Sequence, residues 1–231
     1  MKVRHSIILV RPQLEENIGA VARVAANFGF HDLRIVSPSC NHLGDKAQSV
    51  ACSAVNLLES AQVFSTVENA VHDLRFLYAL SARARHMEID SLSLPEITIY
   101  EDLAVGFMFG PEKSGLSNDD LALVDKLLMI ETSDVYKSLN LAQAVAIVCY
   151  EVRRSRNVKS NHDKKDLATK KEIQGFYEHL ECELQNKNFF RTSEKVPTAM
   201  LNIKNMFKKH EFTGDEIKTL RGIIKALSKS N

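Results

Sequence analysis

The 231-residue sequence has no apolar run long enough to cross a bilayer. Its longest near-continuous stretch, Leu141–Tyr150, contains Gln143 and falls short of the roughly 18 residues that a spanning helix needs. The amino-terminal MKVRHSIILVRP has an apolar core of four residues closed by Arg11, too short for a secretory leader, so the protein is expected in the cytoplasm with no membrane partner. Cysteine is scarce. Cys40, Cys52, Cys149 and Cys182 form no CxxC pair, which fits reduced thiols and not a disulfide framework. Cys40, His42 and Cys52 match no zinc spacing, and no metal is expected. GxGxxG is missing, which argues against a Rossmann dinucleotide site. FGPEKSGLS (109–117) has the glycine spacing of a Walker loop, but Leu116 stands where the phosphate-binding lysine belongs, which argues against nucleotide hydrolysis. What remains, 45% apolar and 26% charged side chains, excludes disorder, collagen and coiled coil and supplies the core of one large or two small domains.

The formal net charge of +1 is a cancellation. Residues 1–155 hold 14 Lys+Arg against 19 Asp+Glu, net −5, and residues 156–231 hold 16 against 10, net +6. A basic tail on an acidic body suits a polyanion, since every phosphate contact takes a cation and releases counterions. A lysine-rich solvated helical surface fits the charge equally well.

Short apolar runs at Ile7–Val10, Leu33–Val36, Gln62–Ser65, Phe76–Leu80, Val105–Phe109 and Leu127–Ile130 are mostly apolar on successive residues, the pattern of strands covered on both faces. Helical segments alternate with them: Asn17–Gly29, with Asn17 at the N-cap and Gly29 at the end, then roughly 45–59, 67–73, 117–124 and 138–157. The alternation predicts an α/β domain with a mainly parallel sheet. Residues 155–168 lose apolar content and read as a linker, which divides the chain into 1–157 and 158–231. Beyond it Thr169 with Glu172 and Thr213 with Glu216 have capping-box spacing, and a further helix is expected over Ala199–Lys208. This gives a small helical extension with a weak core of its own that should pack on the α/β body or on a second subunit, its excess of cations being open to RNA or dimer contacts.

Three segments could carry chemistry. FGPEKSGLS lies between a strand and a helix, where open α/β sheets bind ligands, and presents Glu112; a plain turn is the alternative. Arg23 and Asn27 share the polar side of the first helix, just beyond the first strand, where a phosphate or mere solvent could meet the guanidinium. In YKSLNLAQAVAIVCYE (136–151), Ser138 or Asn140 can cap a helix buried in the body or at a subunit contact, and Arg153, Arg154 and Arg156 suit its carboxyl end.

In this order and at these separations, NIGAVARVAANFG (17–29), FGPEKSGL (109–116) and SLNLAQAVAIVCYE (138–151) resemble the three motifs of the SPOUT class of RNA ribose methyltransferases, the TrmH superfamily, from about Ile7 to Arg154. GFYEHLECEL (175–184), Pro197–Phe207 and FTGDEIKTLRGII (212–224) resemble the helical extension of the TrmJ-type tRNA (cytidine/uridine-2′-O)-methyltransferases.

The resemblance implies a parallel α/β sheet ending in a deep trefoil knot that cradles S-adenosylmethionine, a topology that ordinary connection rules exclude. It implies a homodimer whose active sites are each completed by the partner, and a tRNA substrate methylated on a ribose 2′-hydroxyl at the 5′ side of the anticodon loop, a cytidine or uridine at position 32. By position, the cofactor loops would be Leu80, Ser81 and Ala82, then Gly110, Ile130, and Lys137, Ser138 and Leu139, with the ligand held largely by backbone groups. Arg23 would be the phosphate clamp and, in the family's usual scheme, the general base. A guanidinium stays protonated in proteins, which favours electrostatic stabilisation of the developing alkoxide. Asn17, Glu112, Ser138 and Asn140 would shape the site, with Asn17 and Asn140 as partners of Arg23 or the ribose and Glu112 orienting the arginine. Two positions depart from the family pattern: Ala79–Leu80 stands where relatives often carry Gly–Thr, and Lys137 where a small residue or proline is more usual. The motifs describe the reaction better than the substrate, so a ribosomal RNA ribose methyltransferase and a non-catalytic RNA-binding SPOUT protein are the alternatives.

Overall fold

The structure, a computed structural model, describes residues 5–81, 89–97, 99, 103–136, 138–155, 166–190, 192–208 and 210–228. The chain forms two compact units, Met1–His162 and Asp163–Asn231. The break expected at 157/158 and most of the expected linker lie outside the described residues.

The first unit is built on β1 (His5–Val10), β2 (Asp32–Val36), β3 (Gln62–Phe64), β4 (Phe76–Leu80), β5 (Ser91–Ser93), β6 (Val105–Phe109) and β7 (Lys126–Met129). These make one seven-stranded sheet in the order β3-β2-β1-β6-β4-β7-β5, and every pairing is parallel. All residues of β1, β2 and β6 are buried. β2 buries the polar Asp32 and Arg34 as an ion pair at 2.8 Å, and the edge strand β3 departs from the expected coverage on both faces, with Gln62 and Val63 exposed. β1, β2 and β3 step outward to one edge, and the chain then crosses to the other side of β1. The order therefore reverses beside β1 and β6, the place where open α/β sheets leave a crevice at their carboxyl ends. Gly106 fits that central position: a Cβ there would lie 2.5 Å from Leu74 Cδ1.

The helices are α1 (Glu15–Asn27), α2 (Asp45–Ala51), α3 (Val55–Glu59), α4 (Val67–Val71), α5 (Asn118–Leu121) and α6 (Leu141–Ser155). α1 starts two residues before the expected point. Its N-cap is Leu14, so Asn17 is a buried first-turn residue and not a cap. The carboxyl end of α1 is as expected: Gly29 has φ +78°, its N–H bonds to Ala26 O at 3.1 Å, and that of Phe30 bonds to Ala25 O at 2.9 Å. The helix expected over 45–59 is broken at Cys52, whose φ of +54° cannot continue an α-helix. α1 and α2 touch closely at Gly19, where a Cβ would lie 2.2 Å from Ala47 O.

The second unit consists of α7 (Lys170–Asn186), α8 (Val196–Phe207) and α9 (Gly214–Ser228). Thr169 and Glu172 form the expected capping box. So do Thr213 and Glu216, with the Thr213 N–H donating to Glu216 Oε2 at 2.8 Å and the Glu216 N–H to Thr213 Oγ1 at 3.3 Å. Ala168, Phe176 and Ile217 form its buried centre, flanked by Tyr177, Phe207, Phe212 and Ile224.

Candidate active site

Sheet order decides which motif residues meet. β1 lies beside β6, β6 beside β4 and β4 beside β7, so the segments that leave their carboxyl ends are neighbours. From β1 the chain turns at Arg11 into α1. From β6 it enters the Gly110–Ser117 loop, from β4 it reaches Leu80 and Ser81, and from β7 it reaches Ile130 and the approach to α6.

A hydrogen-bonded chain joins the three motifs. Asn17 donates from Nδ2 to Glu112 Oε1 at 2.7 Å, and Asn140 donates from Nδ2 to Asn17 Oδ1 at 3.0 Å. The Gln13 N–H fixes the other Glu112 oxygen, Oε2, at 3.1 Å. Asn140 Oδ1 in turn accepts from the N–H groups of Ala142 at 2.9 Å and Gln143 at 3.4 Å. Asn140, not Ser138, is therefore the side-chain cap of α6, and its amide spans the cap and the hydrogen bond to Asn17. Ser138 is exposed two residues earlier.

Arg23 stands apart from this group. Six residues of helix carry it about 120° around the axis of α1 and about 9 Å along it from Asn17. It is exposed and donates from Nη1 to Cys52 Sγ at 3.4 Å. The expected contacts of Arg23 with Asn17, Asn140 and Glu112 are replaced by this one, because Asn17 and Arg23 leave different sides of the helix. The turn at Cys52 that ends α2 presents the sulfur to Arg23.

Of the expected cofactor positions, Leu80, Ser81, Gly110, Ile130 and Leu139 are half-buried at the carboxyl edge, while Ala82 and Lys137 lie outside the described residues. Gly110 allows a tight fold of its loop, since a Cβ would sit 2.4 Å from the Leu116 nitrogen. Leu116, in the Walker lysine's place, is buried at 4% exposure. Burial, followed by the carboxylates of Glu15, Glu112 and Glu16, pushes the Cys40 thiol up from its ordinary value, which disfavours a thiolate nucleophile beside Glu112. Among the described residues no group of three or more His, Cys, Asp or Glu gathers as a metal set, and no helix is long and apolar enough to cross a membrane.

Sequence reasoning missed Arg11 and Asp120. Arg11 Nη1 donates to Asp120 Oδ1 at 3.1 Å, and Nη2 to Oδ2. Asp120 also accepts from the N–H and Oγ of Ser117 at 2.7 and 2.8 Å, and the Ser117 Oγ caps α5. The spacing Ser117–Asp120 is itself a capping-box signal that could have marked Asp120. No local pattern pairs Arg11 with a residue 109 positions away.

Residues 4–150 match the model of the SpoU rRNA Methylase family. The chain belongs to that family. Residues 171–231 match a second model, that of the tRNA methyltransferase TrmJ C-terminal domain. A tRNA (cytidine-2′-O-)-methyltransferase TrmJ of Methanocaldococcus jannaschii is 34% identical over 158 residues, covering 66% of this chain and 68% of that protein. A tRNA (cytidine/uridine-2′-O-)-methyltransferase TrmJ of Salmonella typhimurium is 28% identical over 237 residues, covering 97% of this chain and 96% of its own. The crystal structure of TrmJ from Z. mobilis superposes with a TM-score of 0.87 at 36% identity, covering 97% of this chain and 99% of that one. The seven-stranded parallel sheet is thus the family's α/β fold, with Asn17, Glu112 and Asn140 gathered by hydrogen bonds at its carboxyl edge.

Proposed function

We propose that this protein is an S-adenosylmethionine-dependent tRNA methyltransferase that modifies a ribose 2′-hydroxyl in the anticodon loop, a cytidine or uridine at position 32. The observation that carries the reading is the Glu112–Asn17–Asn140 chain, which gathers three motifs distant in sequence at the strand ends beside the sheet's reversal. The TrmJ-type relatives aligned over almost the whole chain favour tRNA over ribosomal RNA.

The residues present suit the cofactor. Leu80, Ile130 and Leu139 are apolar and half-buried and Gly110 leaves backbone accessible, a lining that suits an adenine ring and hydrogen bonds from main-chain groups. Bound there, S-adenosylmethionine supplies a methyl group on a sulfonium for in-line displacement by the ribose oxygen. Glu112, fixed at both oxygens, holds the loop that would face the ligand, and Asn140 holds the start of α6 against α1. Arg23 binds the phosphate next to the target ribose and stabilises the oxygen as its proton passes to water, with S-adenosylhomocysteine as the leaving group. Its place on another side of α1 from Glu112 fits a site shared by two chains of a homodimer, Arg23 of one facing the cofactor loops of its partner. The knot of the SPOUT class and a cytoplasmic location belong to the same reading.

The test is transfer of labelled methyl from S-adenosylmethionine to tRNA and to ribosomal RNA, with ribose methylation mapped in tRNA from cells with and without the gene. Label on the 2′-oxygen of nucleotide 32, lost when the gene is removed, is the expected result. Transfer to ribosomal RNA alone would shift the substrate, and cofactor binding with no transfer to either RNA would leave an RNA-binding protein.

A further inference from the structure

Arg11 and Asp120 lie outside the three segments 17–29, 109–116 and 138–151 singled out above, yet they close the loop that carries Glu112. Arg11 follows the last residue of β1 with φ +48°, a left-handed conformation uncommon for a residue with a side chain. Its N–H bonds to Val36 O at 2.8 Å, which anchors the turn to β2. From there the guanidinium, 40% exposed, engages both oxygens of Asp120, which is buried at 5% exposure. Two residues further along, the Gln13 N–H and then Asn17 occupy both oxygens of Glu112. The short strap 11–17 therefore grips the segment 110–120 by two carboxylates, one near each end. Such a grip matters because the loop contains Gly110 and Gly115, the latter at φ +67°, and glycines leave a free loop many conformations to lose on binding. A bidentate, charge-assisted pair with a buried acceptor is the strong kind of contact.

We propose that Arg11 is a positioning residue for the cofactor loop, acting through Asp120 to hold Gly110–Ser117 in the shape that receives S-adenosylmethionine. The proposal rests on the methyltransferase reading above. It assigns Arg11 no contact with the reacting atoms and no contact with RNA.

The test uses the full-length chain, with Arg11→Ala, the closer-fitting Arg11→Gln and the conservative Arg11→Lys. Calorimetric titration with S-adenosylhomocysteine reads affinity, and amide hydrogen exchange without ligand reads the loop. Arg11→Ala and Arg11→Gln should weaken binding about tenfold, the scale of one lost charge-assisted hydrogen bond. Both should also speed exchange at Lys113–Ser117 while β1 and β6 keep their protection. Arg11→Lys, which keeps the charge but not the fork, should recover part of both effects. Unchanged affinity and loop exchange in Arg11→Gln would overturn the proposal, whatever happens to thermal stability. A wild-type chain that does not bind the ligand overturns the functional reading instead, and the exchange data then report separately on whether Arg11 holds the loop.

Discussion

Among the described residues, Arg23 makes one hydrogen bond, to Cys52 Sγ, which leaves most of its donors for a ligand. Asn17, six positions earlier, is committed to Glu112 and Asn140 on both ends of its amide. The two residues share a motif but differ in surroundings: Asn17 is tied into the cluster, whereas the exposed Arg23 is the one that, on the function proposed above, meets the substrate. Arg23→Ala should therefore lower methyl transfer at least about a hundredfold, the scale of removing a preorganised group that stabilises developing charge. Affinity for S-adenosylhomocysteine should stay within about twofold, since the loss is confined to interactions made with the transferring group and its RNA. Single-turnover transfer and calorimetry measure the two quantities; a matching loss of affinity would place Arg23 in cofactor binding. At this scale the residue types were legible in the sequence, because an amide, a carboxylate and a guanidinium among apolar stripes mark themselves. Who meets whom was not, since Asn17 and Glu112 are 95 residues apart and only strand order makes them neighbours.

Among the elements, α6 depends on Asn140 in two ways, through the oxygen that caps its first turn and through the nitrogen that reaches Asn17. Asn140→Ala loses both and should cost about 1 kcal/mol of stability in urea unfolding. Asn140→Asp keeps the capping oxygen but removes the donor, so it should retain most of that stability and still impair transfer. Equal stability losses in the two variants would show that the contact with Asn17, not the cap, holds the helix start. α5 offers a pH test. Burial works to raise the Asp120 carboxyl, but hydrogen bonds from Arg11 and Ser117 outweigh it and hold the group below the ordinary carboxylate value. A carboxyl depressed in the folded state contributes fully above the unfolded aspartate value, near pH 4, and loses that contribution as pH falls through the folded value. The stability gap between wild type and Asp120→Asn should accordingly be widest at neutral pH and narrow below about pH 4; a gap constant from pH 7 to pH 3 would remove the carboxylate from the account. Strands were legible because buried parallel strands are apolar on successive residues, whereas β5, three residues reading Ser-Leu-Ser, carries too little pattern to stand out. The break at Cys52 was hidden because a single left-handed residue leaves helical periodicity nearly intact on either side.

For the whole molecule, the parallel sheet could be inferred from alternation, but the order β3-β2-β1-β6-β4-β7-β5 could not, since it depends on where each crossover returns. The division of charge was legible and has the widest consequence. Arg23 and the cluster at Glu112 lie in the part of the chain that is net −5, while residues 156–231 are net +6. On the function proposed above, an RNA approaching Arg23 meets an unfavourable overall field there, and attraction comes from local cations and from the second unit, whose residues 163–231 hold 14 Lys+Arg against 10 Asp+Glu, net +4. Within that unit α9 buries Ile217 and leaves Lys218, Arg221 and Lys225 exposed, positions spaced to share one helical side. If this stripe meets phosphates, each contact adds about 0.7–0.9 to the slope of log affinity against log salt. Replacing all three by glutamine in the full-length chain should flatten the slope for tRNA by up to about two to three and weaken binding most at low salt. Affinity for S-adenosylhomocysteine, which has no phosphate, should stay as in wild type. Filter binding from low to moderate salt measures the slope. An unchanged slope with normal transfer would move the phosphate contacts off this face of α9, and the excess positive charge of the second unit would then need another explanation, such as meeting the acidic body of a second chain.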